Sequence, residues 1–288
     1  MSLCEILYSP EYAETMAELR DSLERKEYSL KALDLTAKAL GLLASHYTTW
    51  HYRFSIVQHL GLDLFGELDW CEEVALDNEK NYQIWNYRQL VVQAIVDSAD
   101  ASRFDPHREY PIMAAMLDSD PKNHHVWSYR KWLVETFELY DDAQELRFVE
   151  SLIDQDVRNN SAWTHRFFLK FGRNKSQADK AQVGAEYERE MAFARDKIDL
   201  CPQNPSAWNY LRGVLARSGD DLASLKPWAE QYADFATQVQ SSYAIELLAE
   251  IAEHEDVEAA QRYYRLLAEK YDPIRANYWS YRAKKLTK

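Results

Sequence analysis

The side chains best suited to holding ligands or moving protons gather just ahead of a recurring tryptophan. His46 and Tyr47 precede Trp50; Lys80, Tyr82 and Gln83 precede Trp85; Asn123, His124 and His125 precede Trp127. The nearest approaches to a metal-ligand pair are His46 with His51 and His124 with His125. Neither is flanked by the further Cys, His or carboxylate ligands that a zinc site requires. The chain also lacks an HExxH helix, a phosphate-cradling Gly loop and a Gly-x-Ser-x-Gly elbow. Cys4, Cys71 and Cys201 are odd in number and widely spaced, which suggests neither a disulfide framework nor a Cys-rich zinc site and points to a reducing compartment.

The elements that must position these residues come from one pattern written repeatedly. His46-Tyr-Thr-Thr-Trp50-His-Tyr-Arg53, Asn81-Tyr-Gln-Ile-Trp85-Asn-Tyr-Arg88, Asn123-His-His-Val-Trp127-Ser-Tyr-Arg130, Asn159-Asn-Ser-Ala-Trp163-Thr-His-Arg166 and Asn204-Pro-Ser-Ala-Trp208-Asn-Tyr-Leu211 are five copies, and Asn277-Tyr-Trp279-Ser-Tyr-Arg282 is a sixth. The Trp-to-Trp steps are 35, 42, 36, 45 and 71, the last being two periods with a degenerate copy near Tyr243. The two long steps contain the polar stretches 97–103 and 173–179, read as enlarged loops. Ile84, Trp85, Val91, Val92 and Ile95 fall on one helical face, as do Ala143, Leu146, Val149 and Ile153. Each unit is therefore expected to be a helical hairpin, and residues 1–288 a single helical-repeat domain. The fold class is all-α, a superhelix of hairpins.

Asn81, Asn123, Asn159 and Asn204 stand four residues before a Trp, the place of an N-cap whose side chain accepts a first-turn amide. Trp and the Arg three residues on share a helix side. The pair is expected to be glue between hairpins, with Arg reaching a carbonyl or an acidic residue behind it. Asp77, Asp118 or Asp120, Asp154 or Asp156, and Asp199 are the candidates. That leaves functional side chains at the hairpin tips, along one rim.

Composition agrees with helices. Seven Gly and eight Pro in 288 residues cannot punctuate many strands. A net charge of −13 opposes a nucleic-acid partner. No stretch of 18 apolar residues occurs and Met1-Ser2-Leu3-Cys4-Glu5 lacks signal-peptide character, so no transmembrane segment and a cytoplasmic location are expected. Tetratricopeptide scaffolds and pentatricopeptide RNA readers share the period, but the Trp-Leu-Gly-Tyr pattern of the first is missing and the acidic balance disfavours the second.

The stretches Lys80-Asn-Tyr-Gln-Ile-Trp-Asn-Tyr-Arg88, Pro121-Lys-Asn-His-His-Val-Trp-Ser-Tyr-Arg130 and Pro205-Ser-Ala-Trp-Asn-Tyr-Leu211 closely resemble the repeats of protein prenyltransferase α subunits, and the resemblance runs from about Ile6 to Arg282. The leader Leu7-Tyr-Ser-Pro-Glu-Tyr12, with Met16 and Arg20, is similar to the entry of the subunit shared by farnesyltransferase and geranylgeranyltransferase type I. Rab geranylgeranyltransferase α subunits open differently and are the alternative. The resemblance implies a crescent of hairpins around a β subunit that carries the catalytic zinc and most of the isoprenoid pocket. The heterodimer would transfer farnesyl or geranylgeranyl from its diphosphate to the Cys of C-terminal CaaX sequences, as on small GTPases. Magnesium would accompany the diphosphate, and the β subunit would set which isoprenoid is used.

Carried over by position, Lys80 falls on the lysine that approaches the departing diphosphate, where a cation meets growing negative charge. Gln83 matches the glutamine that meets the peptide's terminal carboxylate, and Tyr47 and Tyr82 match tyrosines lining the peptide and isoprenoid cavity. Asn123, His124 and His125 occupy the next tip. His124 stands where a tyrosine usually bonds the diphosphate; an imidazolium there could still donate.

Overall fold

A computed structural model describes residues 6–78, 80–173 and 180–286. Cys4 and the polar stretch after Arg173, residues 174–179, lie outside the described residues. The chain forms two compact units, Met1–Leu139 and Tyr140–Lys288.

The first unit holds α1 (Pro10–Glu24), α2 (Leu30–Leu42), α3 (Tyr47–Leu60), α4 (Leu64–Asp77), α5 (Tyr82–Val96), α6 (Tyr110–Ser119) and α7 (His124–Phe137). The second holds α8 (Ala143–Gln155), α9 (Asn160–Phe171), α10 (Lys180–Leu200), α11 (Pro205–Ser218), the single turn α12 (Lys226–Ala229), α13 (Ser242–Glu255), α14 (Val257–Leu266) and α15 (Ala276–Lys285). Among the described residues no strand forms, and one isolated bridge pairs Ala233 with Val239. Helices pack in successive pairs, α2 on α3, α4 on α5, α6 on α7, α8 on α9 and α10 on α11, so the all-α repeat expected from the Trp period is the architecture found.

Local chemistry sets the helix starts. The side-chain oxygens of Asn81, Asn123, Asn159 and Asn204 accept amides of the first turn, from Gln83, His125, Ser161 and Ser206 at 3.0–3.1 Å. Trp is then the fourth residue of its helix in α3, α5, α7, α9, α11 and α15. In α3, α7, α9 and α11 its indole N–H donates to the carbonyl six residues earlier, on Ala44, Pro121, Val157 and Pro202, at 2.8–3.0 Å. The degenerate copy does start a helix, α13, but there the fourth residue is the buried Ile245, and Tyr243 sits two residues before it. The polar stretch 97–103 is an enlarged loop with a 3-10 turn at Ala101–Arg103.

The seams depart from expectation in one respect. Arg53 and Arg88 do reach carbonyls behind them, Leu33 O at 3.3 Å and Leu68 O at 3.1 Å. Their acidic partners, however, are not the expected aspartates but buried glutamates of the following hairpin. Arg53 forks onto Glu67 at 2.6 and 2.9 Å, Arg88 onto Glu109, and Arg166 onto Glu190 at 2.7 and 3.0 Å. Each glutamate also accepts a phenol from its own hairpin: Tyr87 to Glu67, Tyr129 to Glu109, Tyr210 to Glu190. The reason is directional. An Arg one turn after the Trp faces the first helix of the next hairpin, and the bidentate, dry pairing there satisfies a guanidinium better than an exposed turn aspartate. The aspartates serve elsewhere: Asp120 and Asp156 close turns, Asp154 takes Lys197, and Asp199 takes the Tyr232 hydroxyl.

The same frame corrects the apolar face of α8. Ile84, Trp85, Val91, Val92 and Ile95 are all buried as read from the sequence, and so are Val149 and Ile153. Ala143 is exposed and Leu146 half-buried, while Glu145 is buried between them, 2.7 Å from His165 Nε2.

Candidate functional site

The tips of α3, α5 and α7 present Tyr47, Tyr82 and His124 as the first residue of each helix. At α5 and α7 the backbone there is fixed by the Asn81 and Asn123 caps, and at all three tips the side chain leaves the hairpin, so these residues can be large and aromatic without disturbing the seams. Tyr47 is 61% exposed and Tyr82 51%. Their exposure contrasts with Tyr87 and Tyr129, whose hydroxyls are buried in the seam and whose ionisation is pushed up, chiefly by burial.

Lys80 lies in the turn just before the α5 cap, exposed, and no carboxylate among the described residues pairs with it. It borders two depressions. One, of about 700 Å³, is walled by Leu43, Ala44 and Ser45 on the α3 side and by Asp77, Asn81 and Tyr82 on the α5 side. The other, of about 520 Å³, is walled by Met116, Ser119, Asp120 and Asn123. A primary ammonium between two open hollows is placed to meet an anion entering from either.

The α5 and α7 tips are joined by rings. Tyr82 stacks on His125 with centroids 5.3 Å apart and planes at 25°, and His125 lies 3.7 Å from the ring of His124. The His125 imidazole is held below its ordinary pKa, first by burial and then by His124. A groove of about 200 Å³ runs on beneath them, lined by Asn86, Gln89 and Ser128 with Tyr82 and His125.

The structure thus brings together Lys80, Tyr82, Asn123, His124 and His125. Tyr47 stands on the neighbouring tip, where only the turn leading to it reaches the Lys80 depression. Gln83 is half-buried at the second position of α5 and lines none of these hollows. Asn123 caps α7, as its spacing predicts, and also borders the second depression. Sequence reasoning missed Asn86, Gln89 and Ser128; they follow Tyr82 by one and two turns, or His124 by one, a spacing that could have found them.

His46 Nδ1 lies 2.6 Å from Thr49 Oγ1, and among the described residues no group of three or more His, Cys, Asp or Glu side chains could hold an ion. Cys71 is buried with its thiol pushed up to about 12, chiefly by burial, which removes it as a thiolate nucleophile or ligand. Among the described residues no helix is long and apolar enough to cross a membrane.

Five repeats of this architecture, at residues 29–60, 64–95, 106–137, 142–169 and 187–218, match the protein prenyltransferase alpha subunit repeat. The chain belongs to the protein prenyltransferase alpha subunit family. It is 50% identical to the protein farnesyltransferase/geranylgeranyltransferase type-1 subunit alpha of Candida albicans over 99% of this chain and 92% of that protein. It is 38% identical to the subunit of the same description from Schizosaccharomyces pombe over 75% of this chain and 68% of the relative. Among solved structures it resembles a chain of the Candida albicans protein geranylgeranyltransferase-I complexed with GGPP, with a TM-score of 0.92 and 49% identity over 99% of this chain and 93% of that one.

Proposed function

We propose that this chain is the α subunit of a heterodimeric protein farnesyltransferase/geranylgeranyltransferase type I, active only with a β subunit. Because the repeat runs through both compact units, residues 1–288 are taken as one helical-repeat domain. The observation that carries the site is Lys80, an exposed ammonium between two hollows, beside the ring stack of Tyr82, His125 and His124.

In the proposed reaction the thiolate sulfur of a CaaX cysteine, its proton already given up to solvent, forms a bond to the first isoprenoid carbon. The bond from that carbon to the diphosphate oxygen breaks, and its electron pair leaves with the diphosphate. Lys80 meets the negative charge that grows on that oxygen, an interaction stronger in the transition state than before it. His124 donates a ring N–H to the same group. Tyr47 and Tyr82 line the peptide and isoprenoid path, Gln83 offers its amide to the peptide carboxylate, and Asn123 and His125 shape the α7 tip. Zinc is assigned to the β subunit, since this chain's described residues do not fit a metal centre. Magnesium is assigned to the diphosphate, and the location to the cytoplasm.

Co-expression with a CaaX prenyltransferase β subunit tests this. A tight 1:1 complex should transfer farnesyl or geranylgeranyl to CaaX peptides, and the chain alone should be inactive, because its exposed tips are only part of the pocket. Transferase activity from the purified single chain, or failure to form the complex, overturns the proposal.

A further inference from the structure

Two tips, one in each unit, are fixed to the tip before them by the carboxamide of their cap. Asn81 uses both ends of its side chain. Its Oδ1 accepts the Gln83 amide at 3.0 Å, which starts α5, and its Nδ2 donates to the carbonyl of Ala44, 37 residues back in the turn leading to Tyr47. That carbonyl also accepts the Trp50 indole N–H at 2.8 Å. The Asn81 backbone N–H is spent on Asn78 O at 2.9 Å, and the Asn78 amide holds Val74 O at 3.0 Å, so the turn carrying Lys80 is tied at both ends. Asn204 repeats the device in the second unit: it accepts the Ser206 amide at 3.1 Å and donates to Val157 O at 2.6 Å, where the Trp163 indole also binds at 2.8 Å. The tips it joins, at Asn160 and Pro205, carry no candidate site residue.

We infer that Asn81 is a positioning residue: its carboxamide, by clamping the α5 tip to the Ala44 turn, sets where Lys80, Tyr82 and Gln83 stand relative to Tyr47. The inference rests on the proposed transferase function. Capping alone asks only for an acceptor, which Asp supplies at Asp63, Asp142 and Asp256. The second bond asks for a donor, which among good capping residues of this length only Asn provides at the same reach.

The experiment compares Asn81→Ser and Asn81→Asp with Asn204→Ser and Asn204→Asp, each as the heterodimer. At both sites each substitution removes the donor that reaches the preceding turn, serine because it is too short and aspartate because it has none, and keeps an acceptor, so both should lower the unfolding midpoint by a similar amount, about 2–4 °C. Only the Asn81 variants should lower kcat/KM, by about 10-fold for an ångström-scale misplacement. The loss should divide between a lower kcat, through Lys80, and a higher KM for the CaaX peptide, through Tyr47 and Gln83. The serine variant separates position from charge, because a carboxylate at 81 would itself repel diphosphate. Wild-type kinetics in Asn81→Ser, an equal kinetic loss in Asn204→Ser, or failure of the Asn81 variants alone to assemble would each overturn the positioning role. An inactive wild-type heterodimer would overturn the functional reading and this inference with it.

Discussion

The tips of the first unit and those of the second are built on one frame and do different work. At α5 and α7 in one and α9 and α11 in the other, an Asn cap starts the helix and the fourth residue is Trp, and an Arg, a Glu and a Tyr close the seam below, as Arg88, Glu109 and Tyr129 do in one unit and Arg166, Glu190 and Tyr210 in the other. The first helical residue differs: Tyr47, Tyr82 and His124 in the first unit, Asn160 and Pro205 in the second. So do the grooves that follow. Between α5 and α7 the groove is lined by Tyr82, Gln89 and His125; between α9 and α11 the equivalent groove, of about 270 Å³, is lined by Asn160, Phe167, Ser206 and Gly213. Architecture and chemistry are therefore carried by separate positions of the same motif, and one can be altered without the other.

The largest effect should come from the shared frame. Arg88→Ala leaves the Glu109 carboxylate buried without its forked guanidinium, and Arg166→Ala does the same to Glu190. Each should cost about 3–5 kcal/mol, the scale of one charge left behind by a broken buried pair. Thermal unfolding of the heterodimer reads it. Equal losses sharpen the comparison; a loss in one unit alone breaks the claim of a common frame. Arg282, one-fifth exposed and paired with the equally exposed Glu253, should lose only about 1 kcal/mol on the same change.

The second effect belongs to the tips. Lys80→Ala should leave the unfolding midpoint unchanged and slow single-turnover transfer about 10- to 1000-fold, with little weakening of isoprenoid diphosphate binding. Asn160→Ala, on a tip of the second unit, should leave transfer at the wild-type rate. A Lys80→Ala heterodimer with wild-type single-turnover rates removes Lys80 from the site.

A smaller effect is expected at the α7 tip. His124→Tyr keeps a donor at the first residue of α7, whereas His124→Ala has none. The Ala variant should slow single-turnover transfer about 3- to 10-fold relative to the Tyr variant, the scale of one charge-assisted hydrogen bond. Equal rates in the two variants would make His124 a structural residue.

Much of this was legible in the sequence, for identifiable reasons. The Trp period and the Asn four residues ahead of it are local signals, so the helix starts and the tip residues could be placed before any contact was known. The Arg partners could not, because a buried glutamate on an amphipathic helix resembles a solvated one. Glu145 interrupts an otherwise apolar face for this reason. Yet a signal existed: Glu67, Glu109, Glu145 and Glu190 each stand 20 residues before the Tyr or His that bonds them. The second role of Asn81 was also hidden, since it depends on a carbonyl 37 residues away. The stack of Tyr82 on His125 follows from helix neighbours in space and has no counterpart in local spacing.

That stack supports the smallest and most specific prediction. His125 is half-buried against Tyr82, with His124 beside it. Burial, the larger cause, disfavours the imidazolium, and the neighbouring His124 adds to it, so the folded-state pKa lies below the ordinary value of about 6.5. Between those two values the unfolded chain binds more protons than the folded one, so stability rises with pH there. The penalty begins as pH falls through the ordinary value, is complete below the lowered one, and is absent at neutral pH, where the ring is neutral and stacks on the Tyr82 face. Histidine-labelled heterodimer followed by NMR should give a His125 midpoint below about 6.5. His124→Gln should raise that midpoint only part of the way, because burial remains. A midpoint at the ordinary value would mean the ring is solvated and the two tips are not joined; a midpoint unmoved by His124→Gln would leave burial as its sole cause and make the two histidines electrostatically independent.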